Sequence, residues 1–248
     1  WFVFKPFLKR YALYVGRFKE EIVLSCLGET APDAHYDPAS HIDQKAVEQS
    51  GIFARPHAGI AGDDLFSTTV GKTAIRFSEL HVAKSRGSDK RASKQSLFHG
   101  LFLVADFNKH LRSHSLILAP RDPKPWSELD DDASKRLASR LRRATMDNVL
   151  FEKTFSTWTF DDIEVRYALS PAMMDRLLSL ARQTAGRLRA AFTASTLFLA
   201  IHLGRPLFEP PFLRPLDAET LDKTRRLING ILAIVEELDL NTRIWTKD

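Results

Sequence analysis

The stretch DLFSTTVGKTAIRFSELHVAKSR, residues 64–86, decides the fold. It reads as two strands turning near Gly71. In the second strand Ala74, Arg76, Ser78, Leu80 and Val82 fall on one side, and Ile75, Phe77, Glu79 and His81 on the other. Successive strand side chains point to opposite faces, so this period of two is a strand signature. VGKT at 70–73 also has the look of the end of a phosphate-binding loop. That motif needs a second glycine at position 66, where this chain has Phe66, and the hairpin turn accounts for Gly71 instead.

Further strands follow. SRGSDKRASK (85–94) is polar, basic and contains glycine, which suits a loop between strands. SLFHGLFLVADF (96–107) is apolar on both faces, as an inner strand is. SHSLILAP (113–120) is another strand, ended by Pro120. DPKPWSELDDDASKRLASRLRRATMDN (122–148) reads as a helix. Asp130, Asp131 and Asp132 lie early in it and Arg140, Arg142 and Arg143 late, a polarity that complements the helix dipole. FEKTFSTWTF (151–160) and DDIEVRYALS (161–170) flank a turn at Asp161 and Asp162, which aspartate closes through its own backbone.

Ser170-Pro171 is a helix start, with serine as cap and proline at the first helical position. Its buried stripe would be Met174, Leu177, Leu178, Ala181, Ala185 and Leu188. AAFTASTLFLAIHL (190–203) is strand-like, RPLFEPPFLRP (205–215) is a proline-rich connection, and a last amphipathic helix runs from about Asp217 to Leu238.

Toward the N-terminus, residues 5 to about 28 read as a long first helix. Phe7, Tyr11, Tyr14, Phe18 and Ile22 recur every three or four residues, with Lys9, Arg10, Arg17 and Lys19 mostly off that stripe. ETAPDAHYDPAS (29–40) reads as a loop and His41 to Gln49 as a short helix. Strands joined by short links and segregated from helices predict an α+β fold: a mainly antiparallel sheet with a long N-terminal helix, a middle helix and C-terminal helices packed on it. Residues 29–248 are expected to form one composite domain, and any subdivision would fall near 121–148.

The 248 residues are 44% hydrophobic and 27% charged, a globular composition with a net charge of +5. This charge favours anionic surfaces without naming one. The single cysteine, Cys26, excludes an intrachain disulfide and suits a reducing compartment. There is no GxGxxG, GxSxG or HExxH motif. His57, His81, His99, His110 and His114 with Asp63, Asp64 and Asp106 could supply ligands or a base, but nothing in their spacing assembles a zinc site. His99 alternates with Leu97, Leu101 and Leu103, as a histidine at the edge of a core does. We expect no catalytic residue, no metal and no cofactor. A metal-assisted hydrolase would have to be built from His57, Asp63, Asp64, His81 and His99. The seventeen phenylalanines carry no RNA-binding pattern, and no nucleic acid is expected as a partner; the alternative of a basic nucleic-acid-binding domain would need the 84–94 loop.

Two basic clusters remain. Lys84, Arg86, Lys90, Arg91 and Lys94 are the candidates for contact with a partner or a phosphate. Lys5, Lys9, Arg10 and Arg17 follow the apolar WFVF at once, as basic residues flank a membrane helix on its cytoplasmic side. We therefore expect Trp1 to Phe4 to end a membrane anchor lying upstream, and residues 5–28 to be a juxtamembrane stalk.

FHGLFLVADFNK (98–109) and FEKTFSTWTFDDIEVRYALSPAMMDRL (151–177) resemble the bacterial family catalogued as domain of unknown function 3137. GDDLFS (62–67), GKTAIRFSEL (71–80) and a closing helix near NTRIW (241–245) resemble it in the same order, so the likeness spans roughly residues 5 to 245. Val165 and Ser170 depart from the family's usual alanine and threonine. The resemblance implies membrane segments ahead of the domain and genes near LemA-like membrane proteins, and it carries no functional residues. Together these readings predict a scaffold or protein-interaction domain facing the cytoplasm at a bacterial inner membrane. The lipid bilayer would be one partner and a LemA-like protein another.

Overall fold

The computed structural model describes residues 10–11, 13–19, 21, 33–53, 59–86, 93–122, 124–126, 132–204, 206–209 and 218–245. Seven strands form one sheet among them, every pairing antiparallel. They are β1 (His35–Asp37), β2 (Gly59–Val70), β3 (Thr73–Arg86), β4 (Ser93–Leu118), β5 (Arg142–Ala144), β6 (Ser156–Thr159) and β7 (Leu188–His202). The helices are α1 (Gln44–Ser50), α2 (Asp132–Arg140), α3 (Val149–Thr154), α4 (Asp162–Ala168), α5 (Pro171–Gln183) and α6 (Ala218–Trp245). The fold is α+β.

The hairpin predicted from residues 64–86 is there. Val70 pairs with Thr73 across a turn in which Gly71 takes φ 61°, the left-handed region glycine enters freely. Strand order is β1-β2-β3-β4-β6-β5, with β7 also paired to β4. The central strand β4 lies between β3 and β7 along its first half and between β6 and β7 near its end. This two-sided position explains the doubly apolar run at 96–107. Its alternate side chains enter two cores: Leu101, Leu103 and Ala105 pack with α3 to α6, while Phe98, Phe102 and Val104 pack with Ala46 and Val47 of α1 and with Phe53.

Local signals place the helices. Ser170 caps α5 by accepting the Met173 N–H, and Pro171 occupies the first turn. Asp161 accepts from the amides of Ile163 and Glu164, so the expected turn is the cap of α4. The helix α5 stops at Gln183, where Ala185 and Gly186 turn left-handed and the Gly186 N–H bonds the Ala181 carbonyl. Ala185 and Leu188 therefore leave the predicted helical stripe: Ala185 is exposed, and Leu188 is a buried residue of β7.

Other expectations change for similar reasons. The loop predicted at 29–40 contains β1, which adds an edge strand against β2. The middle helix is shorter than 122–148, because Arg142 and Arg143 pair with β6 as β5. Sheet hydrogen bonds there override a charge pattern that is equally helical. The basic loop expected at 85–94 narrows, since Ser85 pairs with Lys94 and Arg86 with Ser93. The long N-terminal helix over 5–28 is not supported as an element. Arg10, Tyr11, residues 13–19 and Glu21 are helical, and the rest of that span lies outside the described residues. So do Trp1 to Phe4. No helix among the described residues is long and apolar enough to cross a membrane.

At Gly100 the backbones of β4 and β7 leave no room for a side chain. A Cβ there would stand 2.1 Å from the Ile201 carbonyl oxygen and 2.8 Å from the Leu203 nitrogen, both backbone atoms. Gly100→Ala is therefore expected to cost about 3 kcal/mol in urea denaturation, because neither ladder can move aside without losing pairs. A cost below about 1 kcal/mol would show that this pairing is looser than described.

Candidate functional site

The chemistry-bearing side chains converge where the hairpin is irregular. Between Asp63 and Phe66 the β2–β3 register shifts, and Asp64 takes φ 58°. Such a bulge re-aims side chains. Here it sends the Asp64 carboxylate to full burial, while Asp63 stays opposite Glu79 across the ladder. One oxygen from each of Asp63, Asp64 and Glu79 lies within 4.8 Å of the others. Three carboxylates this close repel one another unless a cation or protons intervene.

Lys19 supplies the cation. Its ammonium donates to Asp64 Oδ2 at 2.8 Å and Asp63 Oδ2 at 2.9 Å, and lies 3.7 Å from Glu209. Tyr36 donates its hydroxyl to the other Asp64 oxygen. Glu79 Oε1 accepts the backbone N–H groups of Leu207 and Phe208. The cluster thus ties together the N-terminal helical stretch, the hairpin, β1 and the segment that follows β7.

Burial sets the titration. It opposes the charge on Lys19, yet the hydrogen bonds to Asp64 and Asp63, reinforced by their charges, raise the ammonium's pKa overall. Burial also pushes the Asp64 carboxyl up, against the pull of Lys19 and Tyr36. Glu79 rises to about 7, chiefly through burial, with Asp64 and Asp63 adding repulsion and the two backbone donors resisting it. With Glu79 protonated, the ammonium of Lys19 faces the carboxylates of Asp63, Asp64 and Glu209 without a fourth carboxylate charge. A divalent cation could use the same three carboxylates, but it would have to displace Lys19 from the very oxygens it holds.

Of the residues expected to build a metal site, Asp63 and Asp64 come together, and their third carboxylate is Glu79, which the sequence marks only as a strand residue. His81 and His99 lie elsewhere. They face each other across β3 and β4 with ring centroids 5.6 Å apart, and His81 Nε2 is 3.0 Å from the Ser96 hydroxyl. Among the described residues no ligand cluster of three or more contains a histidine; His57 lies outside them.

His114 is a packing residue. Its Nε2 bonds the Ser50 carbonyl at 2.9 Å against Trp126, and burial drives its pKa down to about 4.

Of the basic residues, Arg10 and Arg17 are exposed on the N-terminal helical stretch. Lys84 is half-buried on β3, while Lys5, Lys9, Lys90 and Arg91 lie outside the described residues. Arg86 and Lys94 are placed by backbone at the ends of β3 and β4. Two readings of the first helix need correction: Lys19, placed off the apolar stripe, is its buried member, and Tyr14, placed on the stripe, is 48% exposed. Periodicity alone misses Lys19, because its burial depends on carboxylates more than forty positions away.

A family model described as "Protein of unknown function (DUF3137)" matches residues 96–240. The chain belongs to the DUF3137 family. The matched segment of this DUF3137 protein runs from β4 into α6; Lys19, Tyr36, Asp63, Asp64 and Glu79 lie before it, while Leu207, Phe208 and Glu209 lie within it. No curated protein matches the sequence. Among solved structures, the crystal structure of the mycobacterial trehalose monomycolate transport factor A, TtfA, is similar over 89% of this chain and 96% of that chain. At 6% identity and a TM-score of 0.42, that likeness carries no argument.

Glu79→Gln should expose the linkage. The raised pKa means that the contribution of Glu79 is fully present below its unfolded value of 4.5 and is lost as pH rises toward 7. Glutamine still accepts the Leu207 and Phe208 amides without a buried charge. The variant should therefore match the wild type near pH 4.5 and exceed it above pH 7, by on the order of 3 kcal/mol at most, read from urea midpoints. Lys19→Met should cost about 3 kcal/mol at neutral pH by the same measurement, because it leaves the buried Asp64 without its cation.

Proposed function

We propose that this domain is a membrane-proximal interaction module, facing the cytoplasm at a bacterial inner membrane and held there by an apolar segment upstream of Trp1. The observation that supports this most is the polarity of the N-terminal helical stretch. Arg10, Leu13, Tyr14 and Arg17 are all exposed, Leu13 at 61%. Their spacing of three, four and seven puts them on one face. Lys19, nine positions from Arg10, points to the opposite side and is clamped to the hairpin. An exposed face of arginines around leucine and tyrosine suits the headgroup region of an anionic bilayer. Each lysine or arginine near such a surface contributes about 1 kcal/mol. Lys5 and Lys9 would extend that basic collar, and the Lys19 clamp would transmit the orientation of the collar to the sheet.

The body would then present partner surfaces. Ile163 and Tyr167, one turn apart on α4, are 81% and 44% exposed. A LemA-like membrane protein is the partner we propose for this side. The hairpin end carrying Lys84, Arg86, Lys90, Arg91 and Lys94 would serve as a second, charged contact. The metal-assisted hydrolase finds less support, since the chain's own ammonium sits among the clustered carboxylates.

Flotation with phosphatidylglycerol vesicles tests the collar. Reversing Lys5, Lys9 and Arg10 to glutamate should abolish co-flotation of the 248-residue chain, whereas deleting residues 87–92 should leave it intact. Unchanged flotation of the charge-reversed variant would remove the lipid contact. For the body, a photo-crosslinking residue at Ile163 in the membrane-bound protein should give one discrete adduct that is absent from exposed position Arg182. Absence of an adduct at Ile163 would exclude that face.

A further inference from the structure

A cleft of about 400 Å³ opens where the two ends of β7 meet, the His202 N–H bonding the Arg187 carbonyl at 2.9 Å. Leu97 and Phe98 of β4, Leu188 and Ala200 of β7 and Ala119 provide its apolar lining. Arg187, Arg189, His202 and Asp122 provide the polar part.

The polar groups act almost entirely as donors. Asp122 is the one carboxylate lining the cleft among the described residues, and its oxygens are occupied. It receives the Arg189 guanidinium through two bonds of 3.0 Å and the Ala119 N–H at 3.2 Å. That fork holds Arg189 in place and neutralises it, leaving its third nitrogen available. Arg187 is exposed and has no acidic partner among the described residues. The His99 N–H donates to His202 Nδ1 at 3.3 Å. With Nδ1 accepting, the neutral His202 ring carries its proton on Nε2 and offers it outward. Burial, then the charges of Arg187, Arg189 and His99, hold His202 below its usual pKa, so the donor is a neutral imidazole.

Gly204 brings these donors to one place. It turns at φ 70° with its N–H bonded to the His99 carbonyl at 3.0 Å. The position a Cβ would take on Gly204 is 3.8 Å from His202 Nε2 and 3.9 Å from Arg187 Nη1. One small anion seated there reaches both. The uncompensated charge comes from Arg187, and guanidinium forks match the oxygens of a phosphate.

We infer that this cleft binds a phosphate-bearing molecule, with the phosphate between Arg187, His202 and the free edge of Arg189, and the remainder against Leu97. The site goes beyond the membrane contact proposed above and involves none of its residues.

Titrating the 248-residue chain at constant ionic strength with inorganic phosphate, and separately with dihexanoyl phosphatidic acid below its micelle concentration, tests the inference. The readout is the ring nitrogen resonances of His202. Either probe should shift them toward the protonated form, and Arg187→Ala should weaken that binding by about tenfold, the effect of removing one charged hydrogen-bond donor. Arg187 is exposed, so the variant should melt with the wild type; Arg187→Gln should show the same loss. Comparable affinity for both probes would assign a soluble phosphate compound, and affinity at least about tenfold higher for the lipid would assign a phospholipid headgroup with its chains on the apolar lining. If neither probe moves His202, or if the Arg187 variants bind as the wild type does, the inference is overturned.

Discussion

Strand β4 is the constraint on which the sheet depends. It has β3 on one edge, then β6 on the same edge further along, and β7 on the other edge through both stretches. Where β4 is buried on both faces and paired on both edges its residues are apolar, and Phe102, Leu103, Leu116 and Ile117 are all essentially inaccessible. So long a strand cannot stay regular while serving two neighbours on one edge. Its register against β7 shifts on either side of Leu111, opposite Ala194 in a left-handed conformation. Glu164, reaching from α4, receives the Arg112 and Ser113 amides that the broken ladder frees. The helices α3 and α4 therefore sit where β4 changes neighbours, and the core they share with α5 and α6 follows from that placement.

A second irregularity gives the molecule its polar centre. The bulge at Asp64 turns a carboxylate inward beside Asp63 and Glu79, an arrangement that is untenable without a counter-charge. Lys19 enters from a part of the chain distant in sequence, so the electrostatic requirement doubles as a tertiary link. Breaking a buried pair on one side is far more damaging than never having it, which makes the link specific in register and direction. The cluster clamps distant segments together, its oxygens accepting from Lys19, Tyr36, Leu207 and Phe208.

The two surfaces proposed to meet partners differ in kind. The face carrying Arg10, Leu13, Tyr14 and Arg17 is convex, amphipathic and suited to a broad anionic surface. The cleft beside Gly204 is concave, with fixed donors and an apolar wall, and suits one small anion. Membership of the DUF3137 family is compatible with both and assigns neither.

The sequence by itself determined the α+β class, the hairpin at Gly71, the inner strand at 96–107 and the capped start of α5, because each depends on a period or a cap within a few residues of itself. It also named Asp63 and Asp64 among scattered candidate ligands that included histidines which do not join them, and Arg10 and Arg17 as basic residues beside an apolar segment. Tertiary structure alone decided what became of segments whose local signal is ambiguous: Arg142 and Arg143 pair with β6 as a strand, and the turn at 161–162 caps a helix. It alone buried Lys19, aimed Asp64 through a bulge, raised Glu79, and brought Arg187 to His202 beside Gly204. Those outcomes depend on charges and backbones brought together from distant positions, and no local pattern records the meeting of Lys19 with a carboxylate forty-five residues away.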